Sequence, residues 1–128
     1  MASILLVEDD EYVRKPLEML LSFERYDVTA AESAAKAAFL LGWKPFDLLL
    51  TDVSLPDGSG LEIADKAKEI GMPTLVVTGY ALGLEPGSLD GYDYLLKPVR
   101  ERELLVVVRQ HLYWASNVMP FSRRSTRN

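Results

Sequence analysis

Four short apolar runs in this sequence each end in polar side chains that could do chemistry. In chain order, the runs end at Glu8-Asp9-Asp10, Asp52, Thr78 and Lys97-Pro98. If the runs are parallel strands of an open α/β sheet, their carboxyl ends meet at one edge, where such sheets bind ligands. Carboxylates, a hydroxyl and an ammonium group would then surround Asp52. Such a set could hold a divalent cation and a phosphoryl group.

The acidic residues predict a magnesium site. Three carboxylates at adjacent strand ends repel one another, and a bound cation relieves that repulsion. Magnesium prefers oxygen ligands, binds to one or two carboxylates and keeps several waters. We expect its ligands to be Asp9, Asp52 and the backbone carbonyl of Ser54, with Glu8 acting through water.

Asp52 is the expected nucleophile of this site. A carboxylate in this position can attack a phosphoryl group and form an acyl phosphate. Lys97 and the metal would neutralise the developing charge, and Thr78 could hydrogen-bond a phosphoryl oxygen. Each residue taken alone has a simpler explanation as a loop, turn or surface residue. Their joint position at the ends of four predicted strands favours the functional interpretation.

The elements that must position these residues alternate along the chain. Short apolar runs and segments of helical period follow one another, which is typical of βα units around a parallel sheet. Asp10 and Ser33 are predicted N-caps of the first two helices, and Pro16 predicts a bend in the first helix or a later start. The predicted strands are 3–7, 27–31, 46–51, 74–78 and 93–96, and the other helices are 61–70 and one that begins after Pro98.

The pattern fails between the fourth and fifth predicted strands. Gly83, Pro86 and Gly87 stand where a fourth helix is expected, and such residues disfavour helix. We therefore predict a short or irregular fourth helix in the segment 81–90. The sequence from Asn117 has no periodicity and is mildly basic, so we predict one domain over 1–115 and a flexible tail or linker over 116–128.

Composition excludes several classes of protein. The 128 residues carry a net charge of −5 with 48% hydrophobic residues, which is typical of a globular domain and not of a nucleic-acid-binding one. There is no cysteine, so disulfides and thiolate chemistry are excluded. No apolar stretch is long enough to span a bilayer, and we expect a cytoplasmic protein without a membrane partner.

The motifs resemble the receiver domain of bacterial two-component response regulators, the CheY-like superfamily. The resemblance covers about residues 2–114 and depends on the order and spacing of all the motifs. The matching pieces are 4–11 (ILLVEDDE) with Arg14, 47–52 (DLLLTD) with 55–58 (LPDG), 76–80 (VVTGY) and 93–98 (DYLLKP).

This resemblance implies an α/β fold of the flavodoxin-like type: a doubly wound five-stranded parallel sheet of order 2-1-3-4-5 with helices on both faces. It implies phosphorylation of Asp52 by a sensor histidine kinase with Mg²⁺. The Lys97-Pro98 bond is expected to be cis. The resemblance assigns Glu8 and Asp9 to the metal pocket, Lys97 to the phosphoryl contact, Thr78 and Tyr94 to a conformational switch, and Ser54 and Tyr80 to positions that tune hydrolysis of the acyl phosphate.

The expected function is therefore a phosphoacceptor signalling domain and not an enzyme, although it could dephosphorylate itself. It would switch a downstream effector or an output domain, without specific nucleic-acid binding of its own. A homodimer is compatible with the sequence, but a short fourth helix argues against dimerisation through that face. Two alternatives stay open: an aspartyl-phosphate phosphohydrolase, which needs a second aspartate where Ser54 stands, and a receiver-fold interaction module that works without phosphorylation.

Overall fold

The structure, a computed structural model, describes residues 1–79 and 87–113. Strands and helices alternate along the chain, as the pattern of apolar runs predicts. The elements are β1 (Ser3–Val7), α1 (Glu11–Phe23), β2 (Asp27–Ala31), α2 (Ala34–Trp43), β3 (Leu48–Asp52), β4 (Ser54–Leu55), β5 (Gly58–Ser59), α3 (Gly60–Glu69), β6 (Thr74–Thr78), β7 (Tyr94–Leu96) and α4 (Glu101–Tyr113).

The main sheet has five parallel strands in the order β2-β1-β3-β6-β7. This is the predicted order 2-1-3-4-5, so the predicted doubly wound fold is confirmed. Asp52 is the last residue of β3 and pairs with Val77, one residue beyond the predicted end of that strand. Thr78 pairs with Leu96, the residue that precedes Lys97. The register thus brings the predicted site residues to one edge.

The core lies on both faces of the sheet, because alternate residues of each central strand point to opposite sides. One face packs on α2 and α3, and the other packs on α1 and α4. The strand residues on the first face include Leu5, Val7, Leu49 and Val76. Those on the second face include Ile4, Leu6, Leu48, Leu50, Leu75 and Val77.

Side-chain caps fix where the helices begin. The Asp10 carboxylate accepts a hydrogen bond from the Tyr12 amide at 2.9 Å, and the Ser33 hydroxyl accepts one from the Lys36 amide at 3.1 Å, so both predicted caps are confirmed. Helix α1 begins at Glu11 and continues through Pro16. The expectation that this proline delays the start of the helix is therefore wrong.

The connection from β3 to α3 contains a small antiparallel hairpin, β4–β5, which the sequence did not predict. Residues 80–86 and 114–128 lie outside the described residues. They include Tyr80, most of the segment 81–90 predicted as a short or irregular fourth helix, and the whole predicted tail 116–128. In the described part of that segment, the Asp90 amide donates to the Gly87 carbonyl at 3.0 Å in a turn.

Among the helices described, none is long and apolar enough to cross a membrane.

Candidate functional site

Three carboxylates converge at the carboxyl edge of the sheet. Glu8 and Asp9 follow β1, and Asp52 ends β3, its neighbour in the sheet. One carboxylate oxygen from each residue lies within 4.8 Å of those from the other two. Glu8 and Asp52 are buried, whereas Asp9 is exposed to solvent. The predicted meeting of these acids around Asp52 is therefore observed.

Lys97 joins two of these acids. Its Nζ donates to Glu8 Oε1 at 2.7 Å and to Asp52 Oδ2 at 2.9 Å, although Lys97 is 45 residues away from Asp52 in the chain. The Lys97 amide donates to the Thr78 carbonyl at 2.9 Å, which fixes the start of this side chain beside β6. The Lys97-Pro98 bond is cis, as predicted. The direct contact between Lys97 and Glu8 was not predicted.

Backbone groups hold the other oxygens of the two buried acids. Glu8 Oε2 accepts from the Asp10 amide at 3.1 Å, and Asp52 Oδ1 accepts from the Val53 amide at 2.7 Å. Each buried carboxylate is therefore oriented by one amide and one ammonium group. Such charge-assisted bonds are the stronger class of hydrogen bonds in proteins.

Arg14 supports the acidic turn from the side of α1. Its guanidinium donates to the carbonyls of Glu8 and Asp9 at 2.9 and 3.2 Å. The sequence motif included this arginine but gave it no role. Its contacts hold the backbone that carries two of the three acids, and they place a positive charge beside them.

Burial and hydrogen bonding act in opposite directions on the pKa values of Glu8 and Lys97. Burial raises the pKa of Glu8 and the nearby charge of Asp52 adds to this, while hydrogen bonds from Lys97 and the Asp10 amide oppose it. Burial lowers the pKa of Lys97, but its hydrogen bonds to Glu8 and Asp52 outweigh that effect, so the pKa is raised. Lys97 is therefore a stable cation at neutral pH. Three carboxyl groups are therefore clustered around this one ammonium group.

The donor set fits magnesium. The three clustered side chains offer only carboxylate oxygens, which are hard ligands of the kind that this ion prefers. The exposure of Asp9 leaves one side of the cluster open to water, and magnesium usually keeps several waters. A divalent cation would also relieve the repulsion among the clustered carboxyl groups.

The remaining predicted residues differ in their burial. Thr78 is fully buried at the end of β6. Tyr94 begins the edge strand β7 and is 46% exposed, so its ring lies partly in solvent. Ser54 is exposed in β4, two residues after Asp52. Tyr80 lies outside the residues that the structure describes.

Gly60 is a further residue on which the site depends. Its amide donates to the Val53 carbonyl at 2.7 Å, and a Cβ added to it would lie 1.6 Å from the carbonyl oxygen of Asp52. The Thr51 hydroxyl donates to the same carbonyl at 2.9 Å. Only glycine lets α3 begin this close to the backbone of Asp52. The sequence analysis gave Gly60 no role. It directly follows Ser59, whose hydroxyl accepts from the Leu61 amide at 3.1 Å and caps α3, and this position is the signal that could have found it.

Comparison with known proteins agrees with this geometry. The family model described as "Response regulator receiver domain" matches residues 4–109. The response regulator receiver protein CpdR of Brucella abortus is 37% identical over 117 residues, which cover 88% of this chain and 98% of CpdR. The response regulator protein PilR of Pseudomonas aeruginosa is 36% identical over 115 residues, but the chain spans only 24% of its length.

Solved structures show the same fold. The receiver domain protein (CheY-like) from Methanospirillum hungatei JF-1 superposes with a TM-score of 0.84 at 33% identity, covering 93% of this chain and 99% of that one. The response regulator protein TrrA from Thermotoga maritima, solved in complex with Mg(2+)-BeF, gives a TM-score of 0.78 at 26% identity, over 87% of this chain and 99% of TrrA. With its acidic cluster at the carboxyl edge of a five-stranded parallel sheet, this chain belongs to the family of response regulator receiver domains of two-component systems.

Proposed function

We propose that this chain accepts a phosphoryl group on Asp52 from a sensor histidine kinase, in a magnesium-dependent reaction, and thereby switches a downstream partner. The observation that supports this most directly is the position of the Asp52 carboxylate. It lies at the sheet edge, 2.9 Å from the Lys97 ammonium and next to two further acids. Members of this family are signalling domains rather than enzymes, and self-dephosphorylation of this chain is part of the proposal.

In the proposed step, one carboxylate oxygen of Asp52 attacks the phosphorus of a phosphohistidine. The new O–P bond forms as the P–N bond breaks, and the imidazole nitrogen leaves with the electron pair of that bond. Lys97 already donates to Asp52, so it is close enough to donate to a phosphoryl oxygen on the same residue. Thr78, at the end of the next strand, is the proposed second donor to the phosphoryl group.

Asp9, Asp52 and the backbone carbonyl of Ser54 are the proposed magnesium ligands, with Glu8 acting through water. Mg²⁺ would neutralise charge on the phosphoryl oxygens. The complex of TrrA with Mg(2+)-BeF supports this assignment by analogy. The tight pairing of Glu8 with Lys97 is consistent with an indirect role for Glu8.

The signal would leave through Thr78 and Tyr94. A phosphoryl group adds about −1.5 to −2 charges at neutral pH, enough to draw donors such as Thr78 towards it. We propose that the half-exposed Tyr94 ring then turns inward. Ser54 and Tyr80 are proposed to tune the lifetime of the acyl phosphate.

The partner is either a separate effector protein or an output domain. The chain spans about a quarter of PilR, a relative in which most of the protein lies beyond the matched region, but nearly all of CpdR. Both arrangements therefore have precedents among the relatives. We propose a cytoplasmic location, no membrane partner and no specific nucleic-acid binding by this chain. A homodimer is also compatible with the proposal.

A small phosphodonor tests the proposal directly. Incubation with acetyl phosphate and Mg²⁺ should add the mass of one phosphoryl group to the intact protein, and Asp52→Asn should abolish the gain. Asp27→Asn, at an exposed carboxylate at the start of β2, is the matched control and should label normally. Unchanged labelling of Asp52→Asn would refute the assignment of Asp52.

The same experiment separates the alternatives. An interaction module that works without phosphorylation would show no labelling of the wild-type protein and no magnesium-dependent shift in its NMR spectrum. A phosphohydrolase would turn over many phosphodonor molecules per chain. The residue two positions after Asp52 is serine, which lacks the carboxyl group that such an enzyme uses as acid and base, so we expect only slow turnover of the phosphodonor.

A further inference from the structure

Asp57 connects the loop after Asp52 to the beginning of a different helix. Its Oδ1 accepts a hydrogen bond from the Ala34 amide at 2.7 Å, and its Oδ2 accepts one from the Ala35 amide at 2.9 Å. These are amides of the first turn of α2, where amides have no partner within the helix. The same two hydrogen bonds hold the pKa of Asp57 below its usual value.

Helix α2 has a second side-chain cap besides Asp57. Ser33, the residue that precedes α2, already accepts from the Lys36 amide at 3.1 Å. The Asp57 carboxylate satisfies two more amides, from 22 and 23 residues away in the chain. It also places a negative charge at the positive end of a helix. The bidentate contact therefore fixes the position of Asp57 as well as that of α2.

The segment that carries Asp57 is the hairpin β4–β5. At its base, Ser54 pairs with Ser59 and the Gly60 amide donates to the Val53 carbonyl. At its tip, Asp57 is held by α2. The segment between Asp52 and α3 is thus anchored at both ends. Ser54, whose carbonyl is the proposed magnesium ligand, belongs to this doubly anchored segment.

We infer that Asp57 is a positioning residue for the metal site, because its contact with α2 fixes the hairpin that presents the Ser54 carbonyl next to Asp52. This inference depends on the proposed function. The inference adds Asp57 to the proposed site as a residue that connects the site to α2 without touching the metal or the phosphoryl group.

The test compares three variants of the full chain. Asp57→Ala removes both acceptors, Asp57→Asn keeps one oxygen acceptor, and Ser33→Ala removes the cap of α2 without touching the hairpin. Magnesium affinity is measured by isothermal titration calorimetry, and protection of the Ala34 and Ala35 amides by hydrogen exchange. The rate of labelling by acetyl phosphate is measured at subsaturating Mg²⁺.

Asp57→Ala should weaken magnesium binding about tenfold, the low end of the loss seen when residues that orient metal ligands are removed. Asp57→Asn should lie between Asp57→Ala and the wild type. Ser33→Ala should leave magnesium affinity within about twofold of the wild type, although it also destabilises α2.

Equal magnesium affinity in Asp57→Ala and the wild type would overturn the inference, provided that the Ala34 and Ala35 amides lose protection. Equal losses in Asp57→Ala and Ser33→Ala would also overturn it, because they would show that only the stability of α2 matters. A wild-type protein that neither binds Mg²⁺ nor labels would instead refute the proposed function. The two failures are therefore distinguishable.

Discussion

Replacing Lys97 by methionine should reveal how much the site depends on a single cation. Methionine keeps an unbranched side chain of similar length but removes the ammonium group that contacts Glu8 and Asp52 at 2.7 and 2.9 Å. Breaking a buried ion pair from one side costs about 3–5 kcal/mol, and an exposed pair contributes about 1 kcal/mol or less. The carboxylates are 4% and 9% exposed and the lysine 25%, so the pair lies nearer the buried limit.

We therefore expect Lys97→Met to lower the free energy of unfolding by about 3 kcal/mol in the absence of Mg²⁺. A domain of ordinary stability, about 5–15 kcal/mol, would remain folded after this loss. Because the pKa of Lys97 is raised in the folded protein, its contribution is present at pH 7 and is lost only as the pH rises through that higher pKa.

Urea denaturation with and without Mg²⁺ is the appropriate assay. Without Lys97, a cation no longer competes with an ammonium group for the same carboxylates, so Mg²⁺ should stabilise Lys97→Met more than the wild type. Lys36→Met is the matched control, since its 3.5 Å pair with Glu32 is about half exposed and its loss should cost under about 1 kcal/mol. A loss of unfolding free energy below about 1 kcal/mol in Lys97→Met would refute this reasoning. An equal stabilisation of Lys97→Met and the wild type by Mg²⁺ would also refute it.

Two further predictions concern individual tertiary contacts, one of them beside Asp52. Gly60→Ala should lower the free energy of unfolding, measured by urea denaturation, by about 1–3 kcal/mol, because the new Cβ must displace the backbone of Asp52. Gly42→Ala is the control and should be neutral or stabilising, because there is open space around Gly42. The Tyr92 hydroxyl donates a hydrogen bond to the Asp65 carboxylate, which raises the pKa of Tyr92 to about 12. This contact therefore stabilises the fold fully below pH 10.0, and the stabilisation is lost as the pH rises through about 12. Asp65→Asn should bring the NMR titration of Tyr92 back towards 10.0, and an unchanged titration would contradict the assigned cause.

Much of this protein follows from local sequence patterns. The strands are short apolar runs and the helices have a clear period, so their alternation predicted a parallel sheet, while the strand order came from the family resemblance. The caps Asp10 and Ser33 lie where predicted. Side chains at strand ends share one edge of any parallel sheet, and this alone predicted that Glu8, Asp9 and Asp52 would meet. These features depend on neighbours in the chain or on a general rule of topology.

Other features depend on contacts between distant segments, which no local pattern contains. The sequence predicted Lys97 near the phosphoryl group but not its bond to Glu8, 89 residues away. It gave no role to Asp57 or Gly60. The role of Asp57 depends on the amides of α2 as partners, and that of Gly60 on the carbonyl of Asp52 as a neighbour. The sequence by itself determined which residues reach the sheet edge. Only the tertiary structure decided which of them are paired, how closely the backbones approach, and which helix holds the loop beside Asp52.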